Sequence, residues 1–215
     1  MKTTRKVVLT LVCAILLVAA TIMGTMAYLT SSDTVTNTFT VGKVAIKLDE
    51  AKANTDGTLV QGADRVKANS YKLLPGHTYN KDPMVTVLKD SESAYVKMTV
   101  TFKKAAELDA IFAPTGADLT SIFVGYDGTT WLYKGNTEDT TNDTRTYEFW
   151  YKEPVAAPDA DVALDALFDS ITVPGTITNA QLDTIEGMTI TVNAYAIQAD
   201  GFADAAAAWA AYPAA

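Results

Sequence analysis

Residues 95 to 103, YVKMTVTFK, alternate strictly between two kinds of side chain. Val96, Met98, Val100 and Phe102 fall on one face of an extended chain, because successive side chains of a strand point to opposite sides. The other face carries mainly lysine and threonine. This alternation is typical of a β-strand that buries one face in a core. We therefore predict that the chain forms a sheet with one face buried in a core.

The same alternation recurs in several other segments, which cover residues 39 to 48, 83 to 90, 144 to 152 and 188 to 199. They are rich in Thr, Val, Ile and Tyr, which fit a pleated surface. Near Gly42 the alternation changes phase, which indicates a bulge or bend. No strand–helix–strand rhythm is present. We predict an all-β, mainly antiparallel fold, a jelly-roll-like β-sandwich with a few short helices.

The connections between these strands are also readable. Short helices are predicted at residues 104 to 113, at 180 to 185 after a cap at Thr178 or Asn179, and at 202 to 212. Residues 121 to 136 are predicted to form a hairpin that turns at Asp127-Gly128. The polar residues 136 to 144 are predicted to form a loop.

The first 27 residues have the composition of a secretory signal peptide. Lys2, Arg5 and Lys6 precede a long apolar run, and small residues follow it. These features predict a leader over residues 1 to 27, cleaved between Ala27 and Tyr28, and one domain over residues 28 to 215. The competing interpretation is an uncleaved anchor, because residues 7 to 29 are long enough to span a bilayer of about 30 Å.

Removal of that leader changes the chemistry of the chain. It leaves 14 Lys and Arg against 25 Asp and Glu, a net charge of −11. Such a surface repels phosphates, so neither nucleic acid nor an anionic membrane is an expected partner. The single cysteine, Cys13, lies in the leader. The mature domain therefore has no disulfide and no thiolate ligand.

Catalytic motifs are scarce in the sequence. His77 is the only histidine, and no H-E-x-x-H, G-x-S-x-G or glycine-rich phosphate loop is present. Two acidic loops, Glu138/Asp139/Asp143 and Asp159/Asp161, contain calcium-type ligands but fit solvated loop charge better. We therefore expect no enzyme activity, no cofactor and no metal.

A cluster of aromatic residues leaves a second class of function open. The cluster consists of Trp131, Tyr133, Phe149, Trp150 and Tyr151. It is either core packing or a platform on which a sugar stacks. Alternation places Phe149 and Trp150 on opposite faces, so the two cannot both be core residues of one sheet.

The segment AYLTSSDTVTNTFTVGKVAIKLDE, directly after the leader, resembles the start of the TasA/camelysin family of secreted Gram-positive proteins. The matching residues are an aromatic and an acidic residue and an N-x-F-x-x-G stretch, namely Tyr28, Asp33, Asn37, Phe39 and Gly42. Further blocks, such as LLPGHTYNKDPMVTV and AYVKMTV, are similar to clostridial relatives with this type of leader.

The resemblance implies a jelly-roll domain, export through a signal peptidase of the SipW type, and a place in extracellular biofilm or surface fibres. The partner would be the protein itself or a related matrix subunit. Only the leader, before its cleavage, would contact the membrane. An assembly segment that includes Tyr28, Leu29, Asp33, Asn37, Phe39, Val41 and Gly42 would add a strand to the next subunit. The alternatives are a camelysin-like surface metalloprotease, which a single His77 disfavours, and a carbohydrate- or ligand-binding surface module.

Overall fold

The computed structural model describes residues 2–24, 42–112 and 122–213. The chain divides into two units, Met1–Thr40 and Val41–Ala215. In the first unit, α1 (Lys2–Gly24) is a helix whose described side chains, residues 3 to 17, are all exposed. Within the described residues, no helix combines the length and the apolar character that a membrane crossing requires.

The second unit consists mainly of strands. In the described part of the chain these are β1 (Ile46–Asp49), β2 (Thr78–Asn80), β3 (Met84–Val87), β4 (Ser91–Lys103), β5 (Phe123–Val124), β6 (Trp131–Asp139), β7 (Thr144–Tyr151), β8 (Val155–Ala157), β9 (Val162–Ala163), β10 (Ser170–Thr172) and β11 (Ile190–Gln198). The helices are α2 (Ala105–Phe112), α3 (Asn179–Thr184) and α4 (Ala205–Ala211).

The largest sheet has the strand order β11-β4-β7-β6, with β8 added beside β4. Strand β4 is its centre and confirms the prediction from alternation. Val96, Met98, Val100 and Phe102 are fully buried, whereas the polar residues between them are half-buried. Alternation therefore predicted both the strand and the face that is buried.

Two three-stranded sheets, β1-β3-β9 and β2-β10-β5, complete the fold. All described strand pairs are antiparallel. One hydrophobic core joins the three sheets, because Val85 of β3, Ile171 of β10 and Met98 of β4 belong to the same buried cluster. Phe123 of β5 stacks on Phe168 inside it, with ring centroids 4.5 Å apart. The predicted antiparallel, sandwich-like all-β fold with a few short helices is confirmed.

The short helices also lie where the sequence places them. Thr178 is the N-cap of α3, and it forms a capping box with Gln181. Asp204 caps α4, accepting a hydrogen bond from the backbone N–H of Ala207 at 2.8 Å.

Two local predictions are wrong. Residues 121 to 136 do not form a hairpin, because β5 pairs with β10 and not with β6. Asp127 instead closes a tight turn, accepting hydrogen bonds from the backbone N–H and hydroxyl of Thr129. The predicted loop at 136 to 144 is also shorter than expected, because β6 continues to Asp139 and only residues 140 to 143 form the turn into β7.

Candidate functional site

Most of the predicted assembly segment lies outside the described residues. This applies to the cleavage pair Ala27 and Tyr28 and to Leu29, Asp33, Asn37, Phe39 and Val41. Gly42 is described, and it is exposed. A Cβ on Gly42 would lie 2.8 Å from Cγ of Glu92, so the glycine permits a close passage beside that side chain.

Strand β11 forms one edge of the large sheet. It pairs with β4 over nine consecutive residues without a register shift, and no other described strand hydrogen-bonds to it. Its sequence, ITVNAYAIQ, contains no charged residue. A long, regular and uncharged edge strand is a template on which another strand can pair.

Strand β6 forms the opposite edge and differs in kind. Its register shifts between Tyr133 and Gly135, where the glycine has φ +117°. It also carries Lys134, Glu138 and Asp139. Bulges and charges are the means by which edge strands resist unwanted pairing. The two edges of one sheet are therefore unequal, and β11 is the one suited to accept a strand.

A row of threonines connects the two edges across the outer face of the sheet. Thr191 of β11 lies opposite Thr101 of β4, Thr101 opposite Thr146 of β7, and Thr146 opposite Thr137 of β6. The hydroxyls of Thr101 and Thr146 are hydrogen-bonded at 2.8 Å. The two terminal threonines are exposed. Thr191 and Thr137 are therefore equivalent positions on opposite edges.

The aromatic cluster is divided between the two faces of the sheet. Trp131 and Phe149 are fully buried in the core. Trp150 lies on the outer face, where Lys134 Nζ is 4.6 Å from its ring centroid and its Nε1 donates to Glu148 at 2.5 Å. Alternation separated Phe149 from Trp150 correctly. A platform that uses both Trp131 and Trp150 is excluded, because Trp131 has no exposed surface.

Helix α4 covers one end of the same outer face. The Lys97 ammonium lies 4.7 Å from the ring centroid of Trp209, 5.5 Å from that of Tyr195 and 5.7 Å from that of Tyr212. A cation over aromatic faces is attracted by their quadrupoles. Lys97 also forms an ion pair with Glu148, at 3.4 Å. These contacts fix α4 on the sheet and leave the threonine row uncovered by it.

His77 is an exposed residue of a turn that follows Gly76, whose φ is +75°. Its ring lies 6.4 Å from the ring of Tyr79. Across the residues that the structure describes, no three His, Cys, Asp or Glu side chains are placed to share a metal ion.

Several carboxylates of the two acidic loops form hydrogen bonds or ion pairs within the chain. Asp139 accepts hydrogen bonds from the Asn142 side chain and from the backbone N–H groups of Asn142 and Thr141, which lower its pKa. Glu138 pairs with Arg145 at 3.3 Å. In the second loop, Asp161 accepts from the backbone N–H of Lys89 at 2.8 Å. Through these contacts the carboxylates stabilise the turn and the loop in which they lie.

A charged cluster lies where β1 ends and β3 begins. Arg65 donates to Asp49 at 2.6 Å and to Asp82 at 2.8 Å, and Lys47 lies 2.6 Å from Asp49. Burial alone would raise the pKa of Asp49, but the hydrogen bonds from Lys47 and Arg65 outweigh it and hold that pKa below 3.8. The cluster ties residues 50 to 82 to the sandwich.

A second pair lies beside this cluster and is more deeply buried. Lys81 Nζ is 2.6 Å from Glu50 Oε2, and the Asn69 amide Nδ2 donates to Glu50 Oε1 at 3.0 Å. Sequence reasoning missed both groups. The only local signal is that the charged pairs Asp49-Glu50 and Lys81-Asp82 flank apolar strands. Their meeting depends on the antiparallel pairing of β1 with β3.

Comparison with known proteins adds no relative to this picture: no family model, curated protein or solved structure matches the chain.

Proposed function

We propose that this protein is a secreted structural protein, the subunit of an extracellular or cell-surface fibre, and not an enzyme. The open β11 edge carries this proposal. Its nine residues pair in regular register with β4 alone among the described strands, which leaves one row of backbone N–H and C=O groups without a strand partner, and the strand carries no charge. A partner strand that satisfies those groups would extend the sheet from one subunit into the next.

The donor in this proposal is the N-terminal segment of another copy or of a related subunit. After removal of the leader by signal peptidase, residues 28 to 42 would precede β1. The segment is polar and rich in Thr and Ser, with Phe39 and Val41 as alternate apolar residues. Backbone hydrogen bonds would supply affinity, and these alternate side chains would fill pockets. The resemblance to TasA-like matrix proteins supports the same assignment.

A pair of matched lysine substitutions tests the edge. Thr191→Lys adds a charge to β11, and Thr137→Lys adds the same charge at the equivalent position of β6. Both threonines are exposed, so both variants should fold. We expect Thr191→Lys to raise the critical concentration for filament formation by about tenfold, because a lysine on an edge opposes strand addition. Thr137→Lys should assemble like the unmodified protein.

Light scattering and electron microscopy of the leader-free protein would measure both variants. Equal assembly of Thr191→Lys and the unmodified protein would exclude β11 as the acceptor edge. Deletion of residues 28 to 42 tests the donor separately. If the shortened protein polymerises normally, the N-terminal segment is not the strand that is exchanged.

A further inference from the structure

One buried carboxylate holds an amine and an amide side by side. Glu50 is 5% exposed and Lys81 is 9% exposed. The two oxygens of Glu50 are divided between them: Oε2 lies 2.6 Å from Lys81 Nζ, and Oε1 accepts from Asn69 Nδ2 at 3.0 Å. The nucleophile and the carboxamide are thus gathered at a single proton acceptor.

The amide of Asn69 is fixed in one orientation. Its Oδ1 accepts a hydrogen bond from the backbone N–H of Ala53 at 2.9 Å, and its Nδ2 also donates to the carbonyl of Ala51 at 2.8 Å. The Ala53 N–H withdraws electron density from the carbonyl carbon, Cγ. It would also stabilise negative charge on Oδ1 if a nucleophile added to that carbon.

An apolar cavity borders Lys81 on one side. Lys81, Tyr71 and Tyr79 line a cavity of about 40 Å³, which the core residues Phe102 and Ile171 also border. Burial raises the pKa of the Tyr71 phenol, and the nearby charge of Glu50 raises it further. Such a lining limits the access of bulk water to the Lys81–Glu50 pair.

We propose that Lys81 and Asn69 become joined by an isopeptide bond, formed by the protein itself with Glu50 as the proton carrier. Glu50 takes a proton from the Lys81 ammonium, and the neutral amine attacks Asn69 Cγ. The Nζ–Cγ bond forms and the Cγ–Nδ2 bond breaks. Nζ keeps one of its three protons, and the other two leave on the departing nitrogen as ammonium. Glu50 returns to the carboxylate, and no oxidant or reductant is consumed.

The bond would covalently close the segment between residues 69 and 81. A cross-link that closes a loop reduces the conformational freedom of the unfolded chain. The chain has one cysteine, Cys13, so it cannot form an internal disulfide. The proposal does not depend on fibre assembly, because every reacting group belongs to one molecule.

Tryptic peptide mapping of the full chain tests the bond directly. Trypsin normally separates residues 68 to 72, 73 to 81 and 82 to 89. An acylated Lys81 is not cleaved, so we expect residues 68 to 72 joined to residues 73 to 89, lighter by one ammonia than the two unlinked peptides together. Recovery of three separate, full-mass peptides would overturn the proposal.

Three variants separate the proposed reaction from other losses of ammonia. Lys81→Arg keeps the positive charge but not the amine, and Glu50→Gln removes the proton carrier. Both should abolish the linked peptide. Glu148→Gln is the control, because Glu148 forms a second Lys–Glu pair with Lys97 and also accepts a hydrogen bond from Trp150. This variant should leave the linked peptide at its normal yield. Asn69 precedes Ser70 and can also lose ammonia by cyclising on its own backbone. Persistence of the mass loss in Lys81→Arg would assign it to that reaction and contradict the bond.

Discussion

Replacement of Trp131 by alanine should destabilise the domain by about 3–5 kcal/mol, because it empties a large volume in the core. Trp131 is fully buried, packs edge-on against Tyr151 with ring centroids 5.0 Å apart, and donates from Nε1 to the carbonyl of Asp165 at 3.0 Å. A domain of this size has a total stability of about 5–15 kcal/mol, so the variant should be close to unfolding.

Trp150→Ala is the matched control, since it makes the same substitution on the outer face of the neighbouring strand. Trp150 is only half-buried, and its contacts are with Lys134, Glu148 and Trp209. We expect a loss of about 1 kcal/mol there. Urea unfolding followed by circular dichroism would measure both values. Equal losses for the two variants would contradict the placement of Trp131 in the core.

Replacement of Arg65 by methionine should cost about 3 kcal/mol at about pH 7, because it leaves the carboxylates of Asp49 and Asp82 without their shared cation. The Asp49 side chain is 2% exposed, so water cannot replace the lost hydrogen bond, and Lys47, which is 52% exposed, would remain beside it. Lys43→Met breaks the exposed pair with Asp90, at 3.6 Å, and should change stability by less than about 0.5 kcal/mol.

The effect of Arg65→Met should depend on pH. The folded pKa of Asp49 lies below 3.8, so its ionised form stabilises the unmodified protein above that pH, and the contribution is lost as pH falls through the folded pKa. A protonated Asp49 no longer needs its cation. The cost of Arg65→Met should therefore shrink between about pH 7 and about pH 3. The same cost at both pH values would show that Arg65 acts through packing and not through charge.

Local sequence patterns correctly predicted those elements that depend on residues close together in the chain. Alternation predicted β4 and its buried face, and capping chemistry predicted Thr178 or Asn179 at the start of α3, of which Thr178 is the cap. The hairpin prediction failed because Asp127-Gly128 is a good turn signal, whereas β5 is held by tertiary contacts of Phe123 with Phe168 and by pairing with β10. When a local turn signal and core packing disagree, core packing decides where a short apolar strand pairs.

The candidate sites were less accessible from the sequence. An uncharged strand at residues 190 to 198 was readable, but its position at the sheet edge follows only from the strand order. The Glu50, Asn69 and Lys81 cluster joins residues up to 31 positions apart. The charged pairs Asp49-Glu50 and Lys81-Asp82 flank apolar strands, but that pattern does not show which residues meet. Pairing of β1 with β3 brings Glu50 close to Lys81, and the bridge between Glu50 and Val66 brings Asn69 to the same place, so only the fold reveals the cluster.

The proposed function requires that a cleaved, secreted subunit forms fibres. The most direct test combines mass spectrometry of the N-terminus of the protein from culture supernatant with electron microscopy of the same fraction. We predict a chain that begins at Tyr28 and is present in filaments. An intact leader in the membrane fraction, or a cleaved chain that stays monomeric at high concentration, would contradict the claim.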